Sequence, residues 1–372
     1  MTRHRASVSA ALCAVAAGPV AGGQLVLLAK PLGGMVGVPG AVVGYIVLTG
    51  AVLGLFAALL CLWRVRSSVE MASVCGVLAG IAVLVAGAAD TVAVFAVAVL
   101  VAGTLTGPLL VAGRTLAADL GRQSFVVMHA AATAGLAVAA LLAGRYYENP
   151  GAGVIAAGAL TAVLGASTGL LRARLAEAPI SRRPATIGAV PRPALSGYVA
   201  EGLVVGGTVL PALHLLLFRW NEFGAEQLTW LAFAAAPAVF VLALPGRRPA
   251  AVPVLLILAA GGPVLVATAS GPVLLTVGLA VTLTAAARAM TALDGEMSLH
   301  ADRAAATAVV TAIAGFAGLG LVDLLGRVIG TGSALTVLAA CVLVAARLGG
   351  RRDHAASPPQ GVLSSINEGG AP

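Results

Sequence analysis

Charge is what this sequence has least of. Only 10% of its 372 residues are Asp, Glu, Lys or Arg, against roughly a quarter in soluble domains, which excludes a water-soluble globule. Aromatic residues make up 4%, leaving few stacking platforms for a sugar or a nucleobase. The four cysteines, Cys13, Cys61, Cys75 and Cys341, stand in or beside apolar runs. They show no CxxC or Cys/His spacing, so neither a disulfide framework nor a zinc site is expected. There is no Walker loop and no HExxH, and GASTG at Gly165 lacks a nucleophile-elbow context. The chain therefore reads as neither an ATPase nor another enzyme, with no cofactor and no metal. Lysine is nearly missing: Lys30 stands alone, and the net charge of +8 comes from arginines in short clusters. Clusters between apolar runs are a mark of membrane topology rather than of a nucleic-acid-binding face.

What is present is oil. Hydrophobic residues are 60% of the chain, mean hydropathy is +1.03, and the 47 glycines suit membrane helices whose backbones approach closely. With about 20 apolar residues per crossing, the text divides into twelve spans, at 7–29, 41–63, 71–88, 91–112, 125–144, 153–171, 198–218, 228–245, 251–269, 272–291, 306–326 and 331–348. MTRHR and the apolar run after it imitate a signal peptide. Its length and the spans that follow make it an uncleaved first helix.

The loops orient the spans. With the N-terminus in the cytoplasm, eighteen arginines fall on the inner side, while Lys30, Arg145, Arg219 and Arg327 fall outside. Such a bias is the positive-inside signal, and it places both termini in the cytoplasm. The longest polar interval before the tail, Arg172 to Tyr198, holds five arginines, four prolines and one acid. The division is then a six-helix bundle over 1–171, a basic cytoplasmic linker over 172–197, a second six-helix bundle over 198–349 and a disordered tail over 350–372. A weak internal echo agrees: HAAATAGLAVAALLAGR from His129 and AIAGFAGLGLVDLLGR from Ala312 both enter from the inner side and end in arginine.

In these features the chain resembles the major facilitator superfamily of transporters, in a compact bacterial form with eroded signatures. Where the family carries a Gly-Asp-Arg-Gly-Arg signature between helices two and three, this chain has CLWRVRSSVEMAS from Cys61, keeping Arg64 and Arg66 without the glycines and aspartate. The counterpart in the second half is LPGRRPAAV from Leu244, with Arg247 and Arg248. The resemblance implies that these loops act in conformational change and that helices one, four, seven and ten line a cavity. Gln24, Thr104, Thr106, Thr208, Thr282 and Thr284 are then the side chains expected to touch substrate. Threonine hydroxyls also bond back to their own helix, so a structural use competes at each position.

An ionisable group deep in a membrane costs about 2.5–3.5 kcal/mol, yet the spans as drawn contain none. His129, Glu201, His214 and Asp323 all fall within about four residues of a span end, or about 6 Å, where snorkelling serves them. Glu201, His214 and His129 are the candidates for coupling to protons. Asp323 and Arg327 stand at i, i+4 and read as an interfacial ion pair. Asp294, Glu296, His300, Asp302 and Arg303 read as a solvated cytoplasmic face. The expected function is a monomeric secondary transporter in the bacterial cytoplasmic membrane, exporting a small apolar or neutral molecule by alternating access, with lipid and protons as further partners. The alternative is a transporter-like protein acting as a non-transporting partner or a lipid-handling component.

Overall fold

The computed structural model describes residues 2–61, 68–119, 122–173, 192–213, 215–216, 227–243, 252–297, 304–330, 332–334 and 337. Helix is the only regular secondary structure among them, as a bilayer requires of a chain that must pair its backbone within each segment. In chain order the helices are α1 (Thr2–Leu27), α2 (Ala29–Val36), α3 (Gly40–Cys61), α4 (Ser68–Gly87), α5 (Val92–Asp119), α6 (Arg122–Arg145) and α7 (Pro150–Ala173). After these come α8 (Arg192–Val204), α9 (Gln227–Ala243), α10 (Val252–Thr268), α11 (Pro272–Met297) and α12 (Ala304–Ile329). Seven of the described helices are long and apolar enough to cross a membrane, or eight if the bent pair α1–α2 is one span. The protein is a multi-pass membrane protein.

Local chemistry accounts for several boundaries. Pro150 opens α7, where its missing N–H costs nothing, and Asn149 Oδ1 accepts the N–H of Ala152 at 3.3 Å. At Leu28 the chain bends by 65° into α2, and Gly37, at φ 76°, ends that short helix in the left-handed conformation glycine tolerates. In α8 the ladder widens into a π turn over Val205–Val209. Helices lie over the first eleven expected spans; most of 331–348, residues 174–191 of the linker and the tail lie outside the described residues. Several helices outrun the expected spans: α5 continues to Asp119, α6 begins at Arg122, and α11 continues to Met297. Hydropathy measures the hydrocarbon core, whereas hydrogen bonding carries a helix on past it.

The helices pack in two sets. In the first, α1 lies on α6, α3 on α5, and α4 on both α5 and α7; in the second, α8 lies on α12, α9 on α11, and α10 on α11. The pairing repeats: spans one and five match seven and eleven, two and four match eight and ten. The echo between the His129 and Ala312 segments therefore has a structural counterpart, since α6 and α12 each pack on the first helix of their set. Contact between the sets runs along α6 with α9 and α5 with α12. Small residues permit the close pairs. A Cβ on Gly107 would overlap the Gly54 carbonyl, and one on Gly206 the Gly315 carbonyl.

Candidate functional site: a buried charge cluster between the two sets

Arg114 is five residues from the end of α5, Asp294 three from the end of α11, His129 seven from the start of α6 and Glu201 nine from the start of α8. All four ends lie on the side expected to face the cytoplasm, and there the four side chains meet. The Arg114 guanidinium donates through Nη2 to Glu201 Oε2 at 2.6 Å and to Asp294 Oδ1 at 2.5 Å. The other Asp294 oxygen, Oδ2, lies 2.6 Å from His129 Nε2. Tyr198 places its ring 5.7 Å from the guanidinium carbon, a cation–π distance. Arg114 and His129 come from the first set of helices; Glu201, Asp294 and Tyr198 come from the second.

The cluster is dry. Arg114 is 5% exposed, His129 6%, Glu201 1% and Asp294 1%. Charges taken out of water cost several kcal/mol each and are offset only by close, hydrogen-bonded partners. Here one guanidinium serves two carboxylates, each on a different helix of the opposing set. His129, Glu201 and Asp294 bring ligand atoms within 4.8 Å of one another, a donor set of metal-binding type. Arg114 bonds both of these carboxylates, so their negative charge already has a cation beside it. The arrangement ties helices of the two sets together through ion pairs that exist only while the sets touch.

Two expectations are corrected here. Ionisable groups do lie deep in the protein, and His129 and Glu201 are neither snorkelling nor hydrated at an interface. Each sits near one end of its own helix, but those ends are covered by the other set. Asp294 is not on a solvated loop: α11 continues through it and buries it. The side chains of Glu296, His300, Asp302 and Arg303 lie outside the described residues, as do His214, Arg64, Arg66, Arg247 and Arg248. Asp323 and Arg327 form their i, i+4 ion pair at 2.7 Å on an exposed helix surface.

Most of the neutral candidates bond back to their own helices. Thr104 donates to the Leu100 carbonyl at 2.7 Å, Thr106 to Gly103 at 2.6 Å and Thr282 to Gly278 at 2.8 Å, while Thr208 bonds Val204. Thr282 is wedged against Gly262 of α10. Gln24 is fully buried against Gly153 of α7, and neither of its amide atoms has a hydrogen-bond partner. The Thr284 hydroxyl is likewise buried and unpartnered.

No family model matches the sequence, and no curated protein matches it. Among solved structures, the chain is similar to the crystal structure of the human organic anion transporter MFSD10 (TETRAN) at a TM-score of 0.68. That match has 16% identity over 94% of this chain and 99% of the other. The fold is that of the major facilitator superfamily. In this major facilitator fold the cluster joins spans four and five to spans seven and ten. Sequence reading found His129 and Glu201 as separate candidates but missed Arg114 as the partner of Glu201 and Asp294 as the residue that joins His129 to Arg114. The one available signal was that all four stand at inner span ends, and many solvated loop residues share it.

Proposed function

We propose that this chain is a secondary transporter of the cytoplasmic membrane, working by alternating access as a monomer, and that the Arg114 cluster latches the inner end between its two halves. The observation that carries this reading is the buried pairing of one guanidinium with Glu201 and Asp294 across the two sets of helices. No rigid core needs such a costly contact, because well-packed apolar residues would serve stability as well; a contact that must break and reform does. The cluster holds two carboxylates against one guanidinium, so a proton on His129 or on a carboxylate completes its charge balance, and proton coupling belongs to the proposal.

The proposed cargo is small and largely apolar, matching the aliphatic, glycine and threonine residues of the helices that the family resemblance assigns to a cavity. Export is the proposed direction, since sugar-type uptake sites need the aromatic platforms this chain lacks. The human neighbour's cargo, organic anions, adds a charged alternative to the neutral one. Flux into proteoliposomes of the purified full-length chain, measured against empty vesicles, tests the transporter reading. In everted vesicles Glu201→Gln is expected to reduce proton-driven export several-fold. Unchanged export would remove Glu201 from the mechanism, and no flux of any cargo would favour a non-transporting or lipid-handling role.

A further inference from the structure

Among the described side chains, most cations are matched. Arg114 has two carboxylates, Arg327 has Asp323, and Arg145 stacks on Tyr146 at 5.7 Å. Arg288 is different. It is half-buried on α11, inside the membrane-length segment Pro272–Asp294, and makes no hydrogen bond or ion pair with any described residue. It lies six residues before Asp294, about 9 Å further toward the membrane centre at 1.5 Å per residue. A lone guanidinium at that depth is costly unless something compensates it.

The helix face around it is informative. Gly278 and Thr282 press on α10, and Leu279, Leu283 and Ala287 belong to the core shared with α6 and α9. The stripe Val277, Val281, Thr284 and Arg288 follows the 4-3-4 spacing of one helix face and is less buried than either flank. Its outer part is aliphatic; its inner part carries a hydroxyl and a guanidinium one turn apart. Thr284 and Arg288 stand four residues apart, neighbours on one helix face. The other threonines expected at substrate bond back to their helix, whereas the Thr284 hydroxyl is buried with no partner. Two polar groups without a partner among the described residues, one of them a planar bidentate cation, thus share one helix face with an apolar strip.

We infer that Arg288 and Thr284 form a binding site for the acidic head of an amphipathic organic anion, a carboxylate or sulfonate whose apolar body lies along Val281 and Val277. As a statement about cargo this rests on the transporter reading; as a binding site it does not. The guanidinium takes two oxygens of the acid and the hydroxyl donates to one of them. Arg114 cannot serve this purpose because its carboxylates already neutralise it.

The test is equilibrium binding to the purified full-length protein in detergent, by calorimetry, with octanoate, benzoate and naphthalene-2-sulfonate as anionic probes and octanol and octylamine as controls. The expected result is that at least one acid binds the wild type and that Arg288→Gln weakens it about tenfold or more, the value of a charge-assisted pair. Arg288→Lys should fall in between, Thr284→Val should lose about two- to fivefold, and Arg327→Gln should change nothing. Octanol binding should be the same in all variants. The inference is overturned if no acid binds better than octanol, or if Arg288→Gln binds acids as the wild type does, as it would were Arg288 only snorkelling. Should Arg288→Gln fail to fold, the Lys and Val variants decide by the same criteria. Acid binding through Arg288 without flux in proteoliposomes would keep the site and sink the transporter reading; flux of neutral cargo untouched by Arg288→Gln would do the reverse.

Discussion

Arg114 is the cation that both buried carboxylates of the cluster bond. Replacing it with methionine leaves Glu201 and Asp294 buried without their cation, and a broken buried pair costs about 3–5 kcal/mol. Arg114→Met should therefore lower the thermal unfolding midpoint in detergent sharply. Removing the orphaned charges as well, as in Arg114→Met with Glu201→Leu and Asp294→Leu, should recover most of that loss, because apolar replacements of similar volume are close to neutral. The recovered protein should nevertheless transport poorly. A triple variant with both stability and transport restored would show that the cluster is only structural.

Small residues decide how the elements meet. Gly54 and Gly107 bring α3 and α5 together so closely that a Cβ at position 107 would enter the opposing carbonyl, whereas a Cβ on Gly44 of the same α3 meets nothing within 4 Å. Gly107→Ala should destabilise by about 1–3 kcal/mol, the usual cost of overpacking, and Gly44→Ala should be neutral or slightly stabilising. Unfolding midpoints of the two variants check this, and equal midpoints would remove the close approach. The π turn Val205–Val209 starts four residues after Glu201. Helical existence was legible element by element in the 20-residue apolar runs. The bend at Leu28 and the π turn were not, since hydropathy measures the length of an apolar run and not the path of its backbone.

For the whole molecule, the latch and the two-set packing lead to one expectation about access. If the cluster holds its end of the molecule shut, Glu201→Gln combined with Asp294→Asn should open it. A cysteine introduced at Thr115, which is half-buried beside Arg114, should then react several-fold faster with a membrane-impermeant maleimide. The reaction should come from the cytoplasmic side in a chain whose endogenous cysteines have been replaced. Equal rates would mean that the cluster does not govern access, and reaction from the opposite side would reverse the expected orientation. Lys30→Cys, at an exposed position on α2, should label from the outside only.

The sequence by itself determined the membrane class and the helical character, because those follow from composition and spacing along the chain. Hydropathy reads one helix at a time, so it also placed Arg114, His129, Glu201 and Asp294 at separate span ends, where each had an ordinary explanation in water or headgroups. Only the tertiary structure decided that these ends cover one another and exclude water, turning four unremarkable residues into one buried network. Burial is a property of what packs against a residue, and those partners lie up to 180 positions away.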